Sequence, residues 1–339
     1  MPAIITNKFR IHNSEQFEES FGEASPNVYY LGIGRPQSWA TLTRGDSRTE
    51  YEGTDTTPTT PADSVATEFY SFDDLLAVKR ITSSDVNFVV PRRNWTTGTT
   101  YDMYRHDYGE YQTGSTSTKI TSNSGATTLF DSTFYVMTDA FNVYKCLDNN
   151  SNVASTVKPT GTSTTILATG DGYKWKFLYT LSASQQTNFT STDFMAVTEN
   201  ASAATTQTNV ISAAVNGAIN NVKIKTAGSD GTNGTHTGIA IKGDGTGGVC
   251  SVTVSGGAVT AVVVTTVGSG YTFGTISNAE IVAGGSTNLA GAELDIIIPP
   301  KGGHGSNAKN ELGAFFIMMN TNLEGTEAAA SGDFTAVND

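Results

Sequence analysis

Four histidines (His12, His106, His236 and His304) and two cysteines (Cys146 and Cys250) carry the chain's best metal-binding and nucleophilic groups. They are scattered, with no His-x-x-x-His or Cys-x-x-Cys spacing that would let adjacent turns share an ion. The reading is therefore no metal site and two buried, unpaired thiols. Gly243-Asp244-Gly245-Thr246-Gly247-Gly248 superficially suggests a phosphate cradle. No Gly-Lys-Ser/Thr follows, and the next segment reads as a strand, whereas a phosphate loop opens a helix. It is read as a tight turn, as is Gly170-Asp171-Gly172. Arg44-Gly45-Asp46 spells the cell-adhesion tripeptide in a loop of Gly, Asp and Thr, and there is no Gly-x-Ser-x-Gly elbow. With Asp+Glu at 32, a glycosidase-like carboxylate pair stays open, since spacing alone does not decide it. No catalytic residue, cofactor or small-molecule substrate is assigned.

Arg92 and Arg93 are the charged residues whose setting asks for a partner. In Pro91-Arg92-Arg93-Asn94-Trp95 two adjacent guanidiniums stand between a strand stop and a tryptophan. Arginine recognises carboxylates in a planar, bidentate way, and Arg and Trp anchor interfaces. Arg92, Arg93 and Trp95 are thus either part of an interface with another subunit or an internal corner at a domain junction.

The elements that must position these residues are mostly strands. The 339 residues are poor in charge (15%) and rich in Thr, Ser, Asn and Gly, a balance that favours strands and turns over helices. A net charge of −12 with Lys+Arg at 20 leaves no basic stripe for a run of phosphates, which argues against nucleic-acid binding. The opening residues lack a basic stretch followed by an apolar core, and apolar runs elsewhere are short, so an unsecreted chain without membrane insertion is expected.

Asn13 and Gln16 match a capping box for a short helix, with Phe17 and Phe21 on one face. Val28 to Arg35 reads as a strand, and Pro61 opens a second helix whose apolar stripe is Val65, Phe69, Phe72 and Leu76. Val86 to Val90 is a strand stopped by Pro91. From 91 to 197 aromatic and Thr-rich strands alternate with turns, as in an antiparallel β domain. In the last of these strands Tyr173, Trp175, Phe177 and Tyr179 form a core row, with Lys174 and Lys176 on the opposite face. Residues 198–215 read as a linker.

Beyond it lies a duplication. Gly217-Ala218-Ile219, Val222, Ile224, Thr226 and Gly228-Ser229 recur forty positions later as Gly257-Ala258-Val259, Val262, Val264, Thr266 and Gly268-Ser269. Val252-Thr253-Val254 is answered by Leu294-Asp295-Ile296. Repeats 217–256 and 257–298 each have one apolar face that cannot be covered alone, so the two should close on each other as a small sandwich or barrel within a module at 216–298. Glu311 to Asn320 reads as a further strand. The expected fold is mainly β with a few short helices (α+β): antiparallel β-sandwiches plus this duplicated module. Residues 1–90, completed by 299–339, form the N-terminal part.

Several blocks in order carry a resemblance: Ile5 to Arg10, Gly34-Arg35-Pro36 with Trp39, Val89 to Trp95, Val143 to Asp148, and Gly170 to Tyr179. Over roughly 1–180 the chain resembles the baseplate wedge protein of T4-like contractile-tailed bacteriophages, the product of gene eight. The Gly268-Ser269-Gly270-Tyr271 module looks like β insertions of marine T4-like relatives. Those relatives continue past the point matching Asp333-Phe334, which implies a C-terminally short chain. The resemblance implies a non-enzymatic virion protein of the tail baseplate, assembled in the host cytoplasm, homodimeric and joined to other wedge proteins. Two rival readings stand beside it, a receptor- or carbohydrate-binding tail protein and a β-rich glycan hydrolase.

Overall fold

The computed structural model describes residues 6–23, 27–34, 75–112 and 117–334. Arg35, Pro36, Trp39, the Arg44-Gly45-Asp46 tripeptide and Pro61 to Phe72 of the expected second helix lie outside the described residues. Leu76, the last position of that helix's apolar stripe, falls instead in the strand Leu75–Ile81, because that segment pairs with an antiparallel neighbour. The chain divides into two units, 1–87 with 317–339, and 88–316.

In the first unit, helix α1 (Asn7–Glu19) starts six residues before the expected capping box. Thr6 is its N-cap, accepting from Phe9 N–H at 3.2 Å, while the Gln16 amide turns to Glu19. Phe17 and Phe21 do share a face, with ring centroids 5.2 Å apart, and Phe21 packs on Tyr29 at 4.4 Å. Tyr29 opens strand β1 (Tyr29–Gly34), antiparallel to β2 (Leu75–Ile81). Strand β3 (Val86–Pro91) begins in this unit, where Val86, Ile81 and Phe21 form a small core against which Ile317 packs. Asp333 bonds to Lys79 Nζ at 2.9 Å and to Val78 N–H at 2.8 Å.

The second unit is built on a four-stranded antiparallel sheet. Its strands are β4 (Tyr135–Met137), β5 (Asn142–Asn149), β6 (Leu167–Ala168) and β7 (Tyr173–Thr180), in the order β4-β5-β7-β6. The aromatic row on β7 is core, since Tyr173, Trp175, Phe177 and Tyr179 are all buried. Both faces of β7 are covered, however, and Lys176 is buried as well. After α2 (Ala183–Asn188), β8 (Phe194–Ala196) pairs with β3, and Tyr179 Oη donates to Ala196 O at 2.9 Å. The stretch 198–215 holds helix α3 (Thr205–Ser212), whose Val210 and Gln207 are buried. One apolar side chain, and a Gln207 amide bonded to Thr198 O at 3.0 Å, suffice to seat this otherwise small-residue segment.

The duplicated module comprises β9 (Val222–Ser229), β10 (Gly234–Ala240), β11 (Lys242–Gly243), β12 (Thr246–Ser255), β13 (Ala258–Ser269), β14 (Gly274–Thr275), α4 (Asn278–Ala283) and β15 (Ala290–Ile296). The copies exchange strands: β9, first in one copy, pairs with β15, last in the other, and β13 pairs with β12. Equivalent hydrogen bonds mark the internal twofold, Gly231 N–H to Gly257 O at 2.8 Å and Tyr271 N–H to Gly217 O at 3.3 Å. Equivalent apolar positions, Ile219 with Val259, Val222 with Val262 and Val254 with Ile296, meet in one core. That answers the burial problem of each copy. The copies diverge where β10 continues but its counterpart turns into α4. There Ser277 caps the helix and Glu280 reaches back to Ser277 N–H at 2.7 Å, a capping box that Thr237-Gly238-Ile239-Ala240 lacks.

The glycine-rich run at 243–248 is a packing surface for Tyr271. A Cβ at Gly245 would stand 2.4 Å from the Tyr271 ring, and one at Gly248 would stand 2.8 Å from its hydroxyl. That hydroxyl donates to Ile241 O at 2.9 Å and accepts from Gly248 N–H at 3.1 Å. The module is fastened to the four-stranded sheet by Asn221 Nδ2 to Leu147 O at 2.8 Å and Lys223 to Asp148 at 3.2 Å, and to the loop before that sheet by Asp295 to Arg105 at 3.0 Å.

The segment expected as one strand from Glu311 divides into helix α5 (Ala308–Leu312) and strand β16 (Phe316–Met319). Asn307 caps the helix start, and left-handed Gly313 (φ 70°) ends it.

Tyr271→Phe leaves a buried carbonyl and a buried N–H unpaired. Urea denaturation should show a loss of about 1–3 kcal/mol. An unchanged midpoint would mean that the hydroxyl does not hold the glycine loop.

Candidate functional site

Arg92, Arg93 and Trp95 continue the chain beyond β3 and turn polar atoms onto neighbouring backbone and side-chain oxygens. Arg92 Nε donates to Asn94 Oδ1 at 3.0 Å and Nη1 to Ser191 O at 2.8 Å. The Arg93 guanidinium lies over the Tyr135 ring, 4.5 Å from its centroid, and Nη2 donates to the carbonyls of Phe130 and Asp131 at 3.3 Å. Its Nη1 is buried and unpartnered. Trp95 Nε1 donates to Ser155 Oγ at 3.2 Å, and Ser155 Oγ donates to Asp171 at 3.0 Å. Two sequence blocks far apart in the chain, 89–95 and 170–179, thus meet through Ser155. Burial works to raise the Asp171 carboxyl, but bonds from Thr169 Oγ1, the N–H groups of Val157 and Thr156, and Ser155 Oγ outweigh it and hold it at about 2.

A second cluster escaped sequence reasoning. Lys145 on β5 stands directly opposite Lys176 on β7, and both are buried. Like charges across a ladder repel, and a desolvated ammonium costs several kcal/mol unless paired. Glu311, from α5, pairs with Lys145. Its other oxygen accepts from Gly305 N–H at 2.7 Å and Asn307 N–H at 3.2 Å. Tyr104 packs its ring beneath Lys145 Nζ at 4.9 Å and edge-on to His304, also at 4.9 Å. Lys176 Nζ donates to Thr164 O at 2.5 Å. Burial lowers both lysines against the pull of Glu311. His304 is driven well below its ordinary value by burial, helped by Lys145 and Lys176, and its Nδ1 has no partner. The available signal was a lysine inside an apolar strand, Val143-Tyr144-Lys145-Cys146-Leu147.

The remaining candidates are structural. His106 Nδ1 accepts from Ile298 N–H at 3.2 Å, and a ring nitrogen of His236 bonds Thr232 O at 2.9 Å. Asp244 closes the glycine turn by accepting from Thr272 N–H at 2.9 Å and Phe273 N–H at 3.1 Å. Both cysteines are buried and free, and burial pushes the Cys250 thiol up to about 11. Among the described residues no group of His, Cys, Asp and Glu is placed to hold a metal ion, and no helix is long and apolar enough to cross a membrane.

The several antiparallel sheets with a few short helices define a mainly β protein. Residues 3–158 match the family model described as Bacteriophage T4, Gp8, so that segment of the chain is similar to the T4 baseplate wedge family. No curated protein matches the chain. Four of the resembling blocks fall within the matched segment, while Gly170 to Tyr179 and the duplicated module lie beyond it.

Removing the carboxylate with Glu311→Gln strands the buried Lys145 ammonium. A loss of roughly 3–5 kcal/mol in chemical denaturation is expected, largely recovered when Lys145→Met is added. A single variant as stable as the parent would contradict the pairing. The Asp171 carboxyl has a folded value below its unfolded one, so its contribution is present above about pH 4 and is lost as pH falls towards 2. In Asp171→Asn that part of the acid transition should vanish from a fluorescence-monitored titration, and an identical titration would refute the role.

Proposed function

We propose that the chain is a non-catalytic connector of the baseplate wedge, which pairs with a second copy of itself and joins other wedge subunits through surfaces of its β units. The observation that carries this reading is the match of residues 3–158 to the Bacteriophage T4 Gp8 family. The electrostatics agree with it. A general acid needs a carboxyl held protonated. Asp102, Asp107, Asp171 and Asp244 are instead held below the usual range, the first three against the cost of burial, by bonds from Ser124 and Thr133, from Arg105, from Thr169 and its neighbours, and from Thr272 respectively. The net charge of −12 makes proteins, and not nucleic acid, the natural partners. No membrane surface or small-molecule substrate enters this reading.

Within it, Arg92, Arg93 and Trp95 act as a corner of the β fold. Their bonds to Ser191 O, Phe130 O and Ser155 Oγ are all made within the chain. Arg92→Ala with Arg93→Ala should lower the thermal midpoint and leave assembly intact. Lost assembly at unchanged stability would make them interface residues.

Co-expression with the other wedge proteins, followed by light scattering on the eluted species, tests the function. A dimer that co-elutes with a wedge subunit is expected. A monomer that joins none of them but binds a glycan array would overturn the reading in favour of a receptor-binding protein.

A further inference from the structure

The lysine pair leaves a charge unanswered. Lys145 and Lys176 face each other on neighbouring strands, and Glu311 supplies one carboxylate, paired with Lys145. That carboxylate is committed, one oxygen to Lys145 and the other to the N–H groups of Gly305 and Asn307. Among the described residues Lys176 has a single hydrogen-bond partner, the carbonyl of Thr164, which uses one of its three donors. A carbonyl dipole does not neutralise an ammonium. A buried charge left in this state costs free energy that an anion would return.

Lys176 also lies at the wall of a half-open pocket of about 230 Å³. His304, Thr164, Thr165, Asn220 and Ala218 line it too, and no Asp or Glu is among its lining residues. The volume exceeds the roughly 30 Å³ share of one water several times over, enough for one small ion and some of its hydration. Asn220 Nδ2 is anchored on Ala218 O at 2.9 Å, so the amide is held in place at the wall. His304 stands at the pocket with its Nδ1 unpartnered and its ring fixed by Tyr104. Burial and the two lysines keep that imidazole neutral, so it offers one N–H and one lone pair and adds no charge.

We propose that this pocket binds a small oxyanion, of phosphate or carboxylate type, held by the Lys176 ammonium and neighbouring donors. The anion supplies the negative charge that the Lys145–Lys176–Glu311 cluster lacks. In a chain of net charge −12, its affinity comes from this local desolvated cation and not from the long-range field.

The probe is inorganic phosphate, titrated into the full chain against sodium chloride of matched ionic strength, with thermal unfolding and calorimetry as readouts. A saturable rise in Tm specific to phosphate is expected. Lys176→Met should weaken phosphate binding by about tenfold or more, the worth of one charge-assisted hydrogen bond. The same variant should show an unchanged or higher Tm without phosphate, because it removes a like-charge neighbour from Lys145. Equal Tm in phosphate, acetate and chloride, or an anion response undiminished in Lys176→Met, would overturn the proposal. Should that variant fail to fold, amide shifts of the parent chain decide the matter. Phosphate-dependent changes centred on Thr164, Lys176, Asn220 and His304 support the site, and changes elsewhere or none refute it. Acetate in place of phosphate separates the sources, since a response to acetate alone assigns the pocket to a carboxylate.

Discussion

Much of the larger unit depends on how two lysines are tolerated inside it. Lys145 and Lys176 are cross-strand neighbours in the central β5–β7 ladder, where repulsion and desolvation both work against folding. The chain answers by bringing Glu311 from a late helix back onto an early strand, and by placing the Tyr104 ring beneath one ammonium. The helix that delivers Glu311 is only five residues long. Its position is set by the Asn307 cap, by Gly313 and by the carboxylate's own bonds to Gly305 and Asn307. A contact spanning 166 positions thereby ties the end of the second unit to its middle.

The duplicated module solves a different problem with the same economy. Each repeat has one apolar face, and strand exchange between the copies closes both faces into a single core containing Ile219, Val259, Cys250 and Ile296. Its glycines serve packing: Gly245 and Gly248 let the Tyr271 ring lie against the backbone. Polar links from Asn221 and Lys223 then dock the module onto the sheet that carries the lysine pair, and Asp295 ties it to the loop before that sheet.

Legibility in the sequence followed the range of the forces involved. Strands β1, β3, β5 and β7 were readable because alternation and Pro or Gly stops are local, and so was the repeat, whose offset is constant along the chain. The start of α1 was misplaced because Thr6 caps it from outside the window that Asn13 and Gln16 suggested. The break between α5 and β16 was missed because an apolar run does not reveal a cap at Asn307. Lys176 looked solvated by alternation, and its burial depends on Gly305, His304 and α3 arriving from far along the chain. Arg92, Arg93 and Trp95 were identifiable as residues needing partners, but the partners, Ser191, Phe130 and Ser155, are set by tertiary structure.

The proposed role as a baseplate wedge component rests on the likeness of residues 3–158 to the Bacteriophage T4 Gp8 family. Electron cryomicroscopy of the intact phage tail tests that claim most directly. The account predicts density for the 88–316 unit within the baseplate, in contact with other wedge chains. Density found only at receptor-binding fibres, or none in the baseplate, would contradict it.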